Sequence, residues 1–323
     1  MPPIPSLETI RTGGKVVLAR ALSLIETAAG DAALARLIDR AAAEPKGLVL
    51  GLTGPPGVGK STLVDALIRR ARARDRRVGV IAVDPSSQLT GGALLGDRTR
   101  LRTDPADDQV FVRSFAARDR LGGLSDAAIA ASLLMRAVND LTIVESVGVG
   151  QSEGDIALVA DTVLLLIQPG SGDSLQFMKA GIMELPDLVA VTKADMGDAA
   201  RRAAADVEGA LTLAARDEAP QAAVVLVSAA SGEGVDTLFD AIEALGGEIG
   251  GAVARRRQAQ PHGLVADRIR RRFGSVGLEV AEIEGALARA GGPFAAMNFL
   301  ERELKRRLLT VFQGYQDDNA PEA

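Results

Sequence analysis

The sequence predicts an α/β fold, a three-layer sandwich in which a mostly parallel central sheet lies between layers of helices. Three observations lead to this prediction. Short apolar runs alternate with longer helical patterns through the middle of the chain. These runs are apolar almost without interruption, as is typical of strands that helices cover on both faces. Helical patterns alone occupy both ends of the chain, whose 323 residues suffice for one large domain with extensions or for two domains.

The pattern divides the chain into three regions. Residues 1–44 are predicted to form an N-terminal helical extension, residues 45–246 the α/β domain, and residues 247–323 a C-terminal helical arm. The predicted strands are Leu48–Thr53, Val78–Asp84, Val110–Ser114, Leu141–Glu145, Thr162–Gln168, Leu188–Lys193 and Ala223–Ser228.

Composition excludes several kinds of chemistry. The chain has no cysteine, which excludes disulfides, thiolate nucleophiles and iron–sulfur clusters. Its single histidine, His262, excludes multi-histidine metal sites and is expected on a helix surface or in an interface. Carboxylates, hydroxyls, lysines, backbone amides and a hard cation remain as the groups that can act. No apolar run is long enough to cross a bilayer, and the first residues lack the order of a signal peptide, so we expect a cytoplasmic protein without membrane contact.

The strongest motif follows the first predicted strand. GPPGVGKS, residues 54–61, matches G-x-x-x-x-G-K-[ST] and precedes a predicted helix. In such a P-loop the backbone amides surround phosphate oxygens, Lys60 contacts the β- and γ-phosphates, and Ser61 offers its hydroxyl to Mg²⁺. The motif therefore predicts nucleoside triphosphate binding on a P-loop NTPase fold. The predicted phosphate-binding residues are Gly54, Pro55, Pro56, Gly57, Val58, Gly59, Lys60, Ser61 and Thr62.

Two later strand ends indicate that the base is guanine. In VTKAD, Asp195 is placed to accept hydrogen bonds from the ring N–H and amine of guanine, and the stem of Lys193 to lie along the base. Thr192 stands where the N-K-x-D element of GTPases has Asn, which removes a bridging amide. The second element, VSAASGEG, is predicted to contact the guanine oxygen through the loop Ser228, Ala229 and Ala230.

Three acids are candidates for a magnesium site. Glu145 ends a predicted strand, Asp84 ends another, and Asp97 lies in the loop behind Asp84. Together with Ser61 they could hold a hydrated Mg²⁺, and with Lys60 they form the predicted catalytic group. The alternative is that Asp84 and Asp97 only cap turns and helices. Behind Glu145, Gly148 is predicted to place its amide near the γ-phosphate.

The motifs GPPGVGKST, AVDPSS, GGALLGDRTRL, VESVGVGQSE, QPGSGDSLQFMKAGIMELPD and TKAD, taken together, resemble the MeaB/ArgK/MMAA family of P-loop GTPases from about Gly47 to Ser228. The resemblance implies a GTPase chaperone that protects an adenosylcobalamin-dependent acyl-CoA mutase, above all methylmalonyl-CoA mutase, and gates its cofactor loading. It places Lys60 on the phosphates and Lys193 with Asp195 on guanine.

The resemblance also assigns the metal ligands and a signalling segment. Around Mg²⁺ it places Ser61, Asp84, Asp97 and Glu145. It makes the segment from Gln168 to Lys179 a switch loop that signals to the partner, with Gln168, Gly170, Asp173 and Lys179 as its predicted signalling residues. Ser146 departs from the threonine usual in the family, as Thr192 departs from Asn.

The C-terminal region carries an apolar helical stripe formed by Met297, Leu300, Leu304, Leu308 and Val311. The stripe could fold back on the N-terminal helices or pair with a second chain, and the resemblance favours a homodimer built through this arm. The arginine-rich runs at residues 69–77, 255–257 and 270–272 are predicted to be solvated helix faces rather than a nucleic-acid surface.

Two other functions stay open. One is a protein kinase or ATPase linked to amino-acid transport, which would transfer phosphate to a protein instead of releasing it. The other is a metal-insertion GTPase of the kind that matures nickel enzymes, although the chain has no histidine- or cysteine-rich segment. The sequence leaves the identity of the mutase open, since methylmalonyl- and isobutyryl-type mutases would present similar surfaces.

Overall fold

The computed structural model describes residues 3–28, 30–84, 101, 103–104, 106–116, 123–146, 153–170, 185–214, 222–247 and 251–318, without the side chains of residues 84, 153, 214 and 311–318. Within this part, seven strands form one sheet in the order β3-β2-β4-β1-β5-β6-β7. Every pairing in the sheet is parallel. The predicted α/β fold with a parallel central sheet is confirmed.

The strands lie where the apolar runs predict them. They are β1 Leu48–Thr53, β2 Val78–Asp84, β3 Val110–Ala116, β4 Leu141–Glu145, β5 Thr162–Ile167, β6 Leu188–Thr192 and β7 Ala223–Val227. Three predicted ends are wrong by one residue, since Gln168, Lys193 and Ser228 fall in loops. The cause is clearest at Lys193, whose φ of 57° lies in the left-handed region and cannot continue a strand. Strand β3 runs two residues further than predicted because Ala116 still pairs with Asp84.

Within the described residues, helices occupy both ends of the chain and the connections β1–β2, β3–β4, β4–β5 and β6–β7. They are α1 Leu7–Thr12, α2 Gly14–Thr27, α3 Ala32–Ala43, α4 Lys60–Ala73, α5 Asp126–Arg136, α6 Glu153–Ala157, α7 Asp198–Ala214, α8 Val235–Gly247, α9 Ala252–Val280, α10 Ile283–Ala290 and α11 Pro293–Asp318. Ser6, Asp31 and Ser125 begin α1, α3 and α5 with side-chain caps on backbone amides.

The sheet separates two layers of helices. Strand residues alternate between its faces, so Val144 belongs to the core beneath α5 and Ile143 to the core beneath α4. The N-terminal helices, α5 and the C-terminal helices share the first core, whereas α4 and α8 share the second. The carboxyl ends of the strands therefore form one open edge between the layers.

The C-terminal stripe folds back on its own chain over part of its length. Met297, Leu300 and Leu304 are buried in the core that also contains the N-terminal helices. Both oxygens of Asp39, on α3, accept hydrogen bonds from the first backbone amides of α11, at 2.8 and 2.9 Å. Further along α11, Leu308 is 47% exposed. The first alternative is thus confirmed as far as Leu304, and the homodimer stays a prediction, as does the three-part division of the chain.

The prediction that the arginine-rich runs are solvated faces is wrong for several of their members. Arg72 on α4 donates to Asp107 at 2.8 Å, and Arg256 on α9 donates to Asp187 at 2.6 Å. Arg257 on α9 donates to the buried Asp161 at 2.7 Å, whereas Arg272 is exposed, as predicted, and pairs with Glu301 on α11. These arginines join helices to the sheet and to one another because each finds an acid far away in the sequence.

Two surface predictions concern the helices. His262 is exposed on α9, as predicted. No helix in the described ranges is both long enough and apolar enough to cross a membrane.

Candidate functional site

The predicted site residues converge on the carboxyl edge of the sheet. The P-loop leaves β1, Glu145 ends β4, Lys193 follows β6 and Ser228 follows β7. In an open parallel sheet the carboxyl ends of the strands all face one side, where the connecting loops form a crevice for ligands. Residues separated by up to about 170 positions therefore meet at this edge.

The P-loop curls because its glycines adopt backbone angles that other residues resist. Gly54, Gly57 and Gly59 have φ values of 146°, 76° and 103°. At Gly54 a β-carbon would lie 2.6 Å from the carbonyl oxygen of Leu166, so a side chain does not fit there. Helix α4 begins directly after Gly59, so the first amides of this helix lie at the loop.

Lys60 is held inside the curl of the P-loop. Its side chain is buried, and its Nζ donates to the carbonyl oxygens of Gly54 and Pro55 at 2.8 and 3.1 Å. The ammonium group thus lies beside the loop amides, where it adds a full positive charge to a ring of backbone donors. This combination suits a polyphosphate.

Ser61 and Glu145 form the part of the predicted metal site that the structure describes. Ser61 Oγ donates to Glu145 Oε1 at 3.2 Å, and Glu145 is 5% exposed. Glu145 reaches the P-loop because β4 and β1 are neighbours, with Leu52 opposite Glu145 in the register. A hydroxyl and a carboxylate at the base of a phosphate loop are oxygen donors of the kind that Mg²⁺ prefers. The donor set fits the ion.

The other two predicted acids lie beyond what the structure describes. Asp84 ends β2 at the same edge, but its side chain is not described, and neither is any part of Asp97 or Gly148. Within the described residues no group of three or more histidine, cysteine, aspartate or glutamate side chains is placed to hold a metal. The convergence of three acids stays a prediction.

A pair of hydroxyls that the sequence analysis missed supports this corner. Ser146 and Thr53 are buried, with their hydroxyl oxygens 3.0 Å apart. The backbone amide of Ser146 also donates to the carbonyl of Leu52 at 3.1 Å. These bonds tie the end of β1 to the residue after Glu145. The only sequence signal was a hydroxyl at each of two strand ends, and it acquires meaning once β1 and β4 are known to be adjacent.

The predicted guanine element takes the shape of a tight turn. Asp195 is exposed in a short 3₁₀ turn, Ala194–Met196, which follows directly after Lys193. Lys193 Nζ donates to Gln168 Oε1 at 2.6 Å. Gln168 was predicted as a signalling residue, and the structure places it beside the guanine element through this bond.

Thr192 keeps a link to the P-loop without the amide of asparagine. Its buried hydroxyl lies 2.9 Å from the carbonyl oxygen of Val58 and 3.2 Å from that of Ile167. The single hydroxyl proton serves one of these acceptors at a time. The hydroxyl thus joins the strand end predicted to bind the base to the loop predicted to bind phosphate.

The loop after β7 is closed by its own hydrogen bonds. The amide of Ser228 donates to the carbonyl of Glu233 at 2.9 Å, and the amide of Gly232 donates to the carbonyl of Ser228 at 2.8 Å. Ala229 and Ala230 form the start of this turn, at the same edge as Lys193. This predicted second guanine element is thereby fixed in shape at the strand end next to that of β6, where the first one lies.

The predicted signalling segment is described only at its start. Gln168 and Gly170 follow β5, and Gly170 has a φ of 75°. Asp173 and Lys179 lie outside the described residues. Their role stays a prediction.

Comparison with known proteins agrees with this arrangement. Residues 18–275 match the family model of methylmalonyl Co-A mutase-associated GTPase MeaB. A putative GTPase of Pyrococcus horikoshii is 47% identical over 199 residues, which cover 60% of this chain and 62% of that protein. The methylmalonic aciduria type A homolog of Mus musculus, a mitochondrial protein, is 39% identical over 218 residues, covering 65% of this chain and 52% of its own length.

The matches to these two relatives therefore span between about half and three fifths of their length. Among solved structures, a LAO/AO transport system kinase superposes with a TM-score of 0.66 at 25% identity. This superposition covers 93% of this chain and 96% of the other.

Proposed function

This chain belongs to the MeaB family of methylmalonyl Co-A mutase-associated GTPases. From this we propose that it couples GTP hydrolysis to the cofactor loading and protection of an adenosylcobalamin-dependent acyl-CoA mutase. GTPase activity follows from the family and from relatives named as GTPases. The proposed partner is methylmalonyl-CoA mutase, whose cofactor loading the chain would gate and which it would protect. The match over residues 18–275 carries this proposal, and the mouse relative's name supports it.

The site geometry supports roles for individual residues. Lys60 and the amides around it would hold the β- and γ-phosphates. Ser61 and Glu145 would hold Mg²⁺, together with Asp84 and Asp97 as the sequence predicts. When bound, Mg²⁺ would neutralise negative charge on the phosphates.

Guanine selection would come from residues that follow β6 and β7. Asp195 would accept from the ring N–H and amine of guanine, and Lys193 would cover the base. The closed loop after Ser228 would offer backbone amides to the guanine oxygen. Thr192 would keep these base contacts in register with the phosphate contacts, because its hydroxyl is bonded to the P-loop carbonyl of Val58.

Hydrolysis by the isolated chain should be slow. GTPases whose catalytic set is incomplete usually depend on a partner that completes or orders the site. We therefore expect the mutase to accelerate hydrolysis by about ten- to several-hundred-fold, or about 1.4 to 3.5 kcal/mol of activation free energy.

The test is GTP turnover with and without the mutase holoenzyme. Wild type, Lys179→Ala and the matched control Lys305→Ala, whose lysine is exposed on α11, are compared. Lys179→Ala should keep its basal rate and lose most of the stimulation, while Lys305→Ala should behave as wild type. Equal stimulation of all three proteins would remove Lys179 from signalling. No stimulation by methylmalonyl- or isobutyryl-type mutases would contradict the partnership itself.

The same assay separates the two other functions. GTP labelled at the γ-phosphate should release free phosphate. Label retained on a protein would instead favour the kinase function, after which the solved LAO/AO transport system kinase is named. Stimulation by a nickel-enzyme precursor in place of a mutase would favour metal insertion.

A further inference from the structure

A second cleft lies at the edge of the sheet opposite the nucleotide site. Its volume is about 420 Å³, and α3, α5, α9, α10 and the start of α11 surround it. Arg257 marks its position, since this lining residue donates to the carbonyl of Gly47 and to Asp161, which precede β1 and β5. The P-loop follows β1 and Gln168 follows β5, at the other ends of these strands. The cleft is therefore separate from the nucleotide site.

The cleft combines an apolar wall with a polar one. Its apolar wall contains Leu133, Leu264, Pro261, Leu287 and Pro293. The polar wall contains Arg136, Arg257 and Gln260, with Asp39 also at the cleft. Ligand sites commonly have volumes of about 300–1,000 Å³, mostly apolar walls and a few convergent polar groups. The cleft has both properties.

The polar wall carries more positive than negative charge. Asp161 is completely buried and accepts from Arg257 Nε and Nη2, both at 2.7 Å, while Arg136 Nη1 lies 3.4 Å from its Oδ1. Two guanidinium groups thus share one carboxylate, and Gln260, which accepts from Arg136 at 3.1 Å, adds no charge. The neighbouring Arg256 is paired with Asp187. In the part of the chain that the structure describes, one positive charge on the wall therefore has no matching anion.

The excess positive charge affects Arg136 most. It is 3% exposed, and its Nε has no hydrogen-bond partner among the described residues. The pKa of Arg136 is lowered, mainly by burial and further by the like charge of Arg257. The negative charge of Asp161 acts in the opposite direction. A second anion beside these arginines would accept a hydrogen bond from Nε and would stabilise the charged form of Arg136.

Asp39 does not supply that anion. Both of its oxygens accept from the first amides of α11, where a carboxylate balances the positive end of the helix dipole. Burial raises the pKa of Asp39, in opposition to these two backbone hydrogen bonds, and so disfavours its charged form. The carboxylate of Asp39 thus interacts with α11 rather than with the arginines of the cleft.

We propose that this cleft binds a small monocarboxylate with a short aliphatic chain. The carboxylate lies against Arg136 and Arg257, and the chain lies against Leu133, Leu264 and Leu287. Because the ligand touches α3 and α5 as well as the C-terminal helices, its binding stabilises the docking of those helices. This inference does not depend on the proposed partner.

The test uses aliphatic carboxylates from propanoate to octanoate, each paired with its neutral amide, and ligand-observed NMR with calorimetry. We expect saturable binding of at least one carboxylate, with a dissociation constant on the order of 1 mM. The matching amide should bind at least about tenfold more weakly, because it cannot neutralise the arginines. Binding should also raise the melting temperature by mass action.

Two variants locate the site. Ala43 is exposed at the rim of the cleft, so Ala43→Trp should fill it and weaken carboxylate binding at least about tenfold. Ala205→Trp, at an exposed position on α7 away from the cleft, is the matched control and should bind as wild type. Unchanged GDP affinity in both variants shows that they are folded. The proposal is overturned if no carboxylate binds wild type, if the amides bind equally well, or if Ala43→Trp binds like Ala205→Trp.

Discussion

Replacing Asp161 by asparagine tests what holds the C-terminal helices on the sheet. Asparagine has nearly the same size and keeps one acceptor oxygen, but it carries no charge. Asp161 is completely buried, accepts from the amide of Val49 at 2.8 Å, and receives two hydrogen bonds from Arg257 on α9. The substitution leaves Arg257 and Arg136 without their shared anion.

The expected loss follows from burial. Removing one partner of a buried ion pair costs about 3–5 kcal/mol, because the remaining charge is left without compensation. Arg136 is 3% exposed, so little water replaces the lost carboxylate there. We therefore expect Asp161→Asn to lower the free energy of unfolding by about 3–5 kcal/mol. Asp198 forms an exposed ion pair with Arg201, so we expect Asp198→Asn to lower the free energy of unfolding by at most about 0.5 kcal/mol.

Urea denaturation of the GDP-free protein measures both losses, and hydrogen exchange locates them. Amides of α9 should exchange faster in Asp161→Asn, because Arg257 anchors that helix to the sheet. The amides of α4, whose helix begins at the P-loop, should change less. A loss in Asp161→Asn within about 1 kcal/mol of that in Asp198→Asn would refute the reasoning, since a buried and an exposed carboxylate would then be equivalent.

Three further predictions concern single side chains. GDP should bind at least about tenfold, or 1.4 kcal/mol, more tightly than ADP by calorimetry, and Asp195→Asn should shift preference toward xanthine nucleotides; equal affinities would reject guanine selection. Glu145→Ala should lower kcat at least about tenfold with little change in GDP affinity, because its charge acts mainly as the γ-phosphate leaves, whereas wild-type turnover would remove it from catalysis. Burial raises the pKa of Asp39 above 3.8, so the stability that its protonated form contributes is present below pH 3.8 and is lost as pH rises through the folded-state pKa. Chemical denaturation should therefore show Asp39→Asn gaining on wild type as pH rises above 3.8, and a constant difference would contradict this.

Local patterns predicted the strands and the phosphate loop well. The apolar runs gave the right position for each strand because a strand buried on both faces must be apolar throughout. The spacing of glycines, Lys60 and Ser61 is likewise a local property of a loop between a strand and a helix. The errors at Gln168, Lys193 and Ser228 were of one residue each, because the polar residue that follows each apolar run was counted with the strand although it lies in the loop.

Contacts between segments that are distant in the sequence could not be predicted from local patterns. The neighbours of β1 are β4 and β5, and no local pattern states this order. The hydroxyl pair of Thr53 and Ser146 depends on it. The arginines of α9 were assigned to a solvated face because a run of charge usually is one. Arg257 instead pairs with Asp161, which precedes it by 96 residues.

The two ends of β5 lead to a final conclusion about movement. Asp161 precedes this strand and anchors α9, while Gln168 follows it and bonds Lys193. All six residues of β5 between them are buried in the sheet. A fully buried strand therefore separates the anchored helices from the nucleotide edge. If a mutase stimulates hydrolysis as proposed, it should act on the loops at the carboxyl edge while the described part of the C-terminal helices, up to Leu304, stays docked.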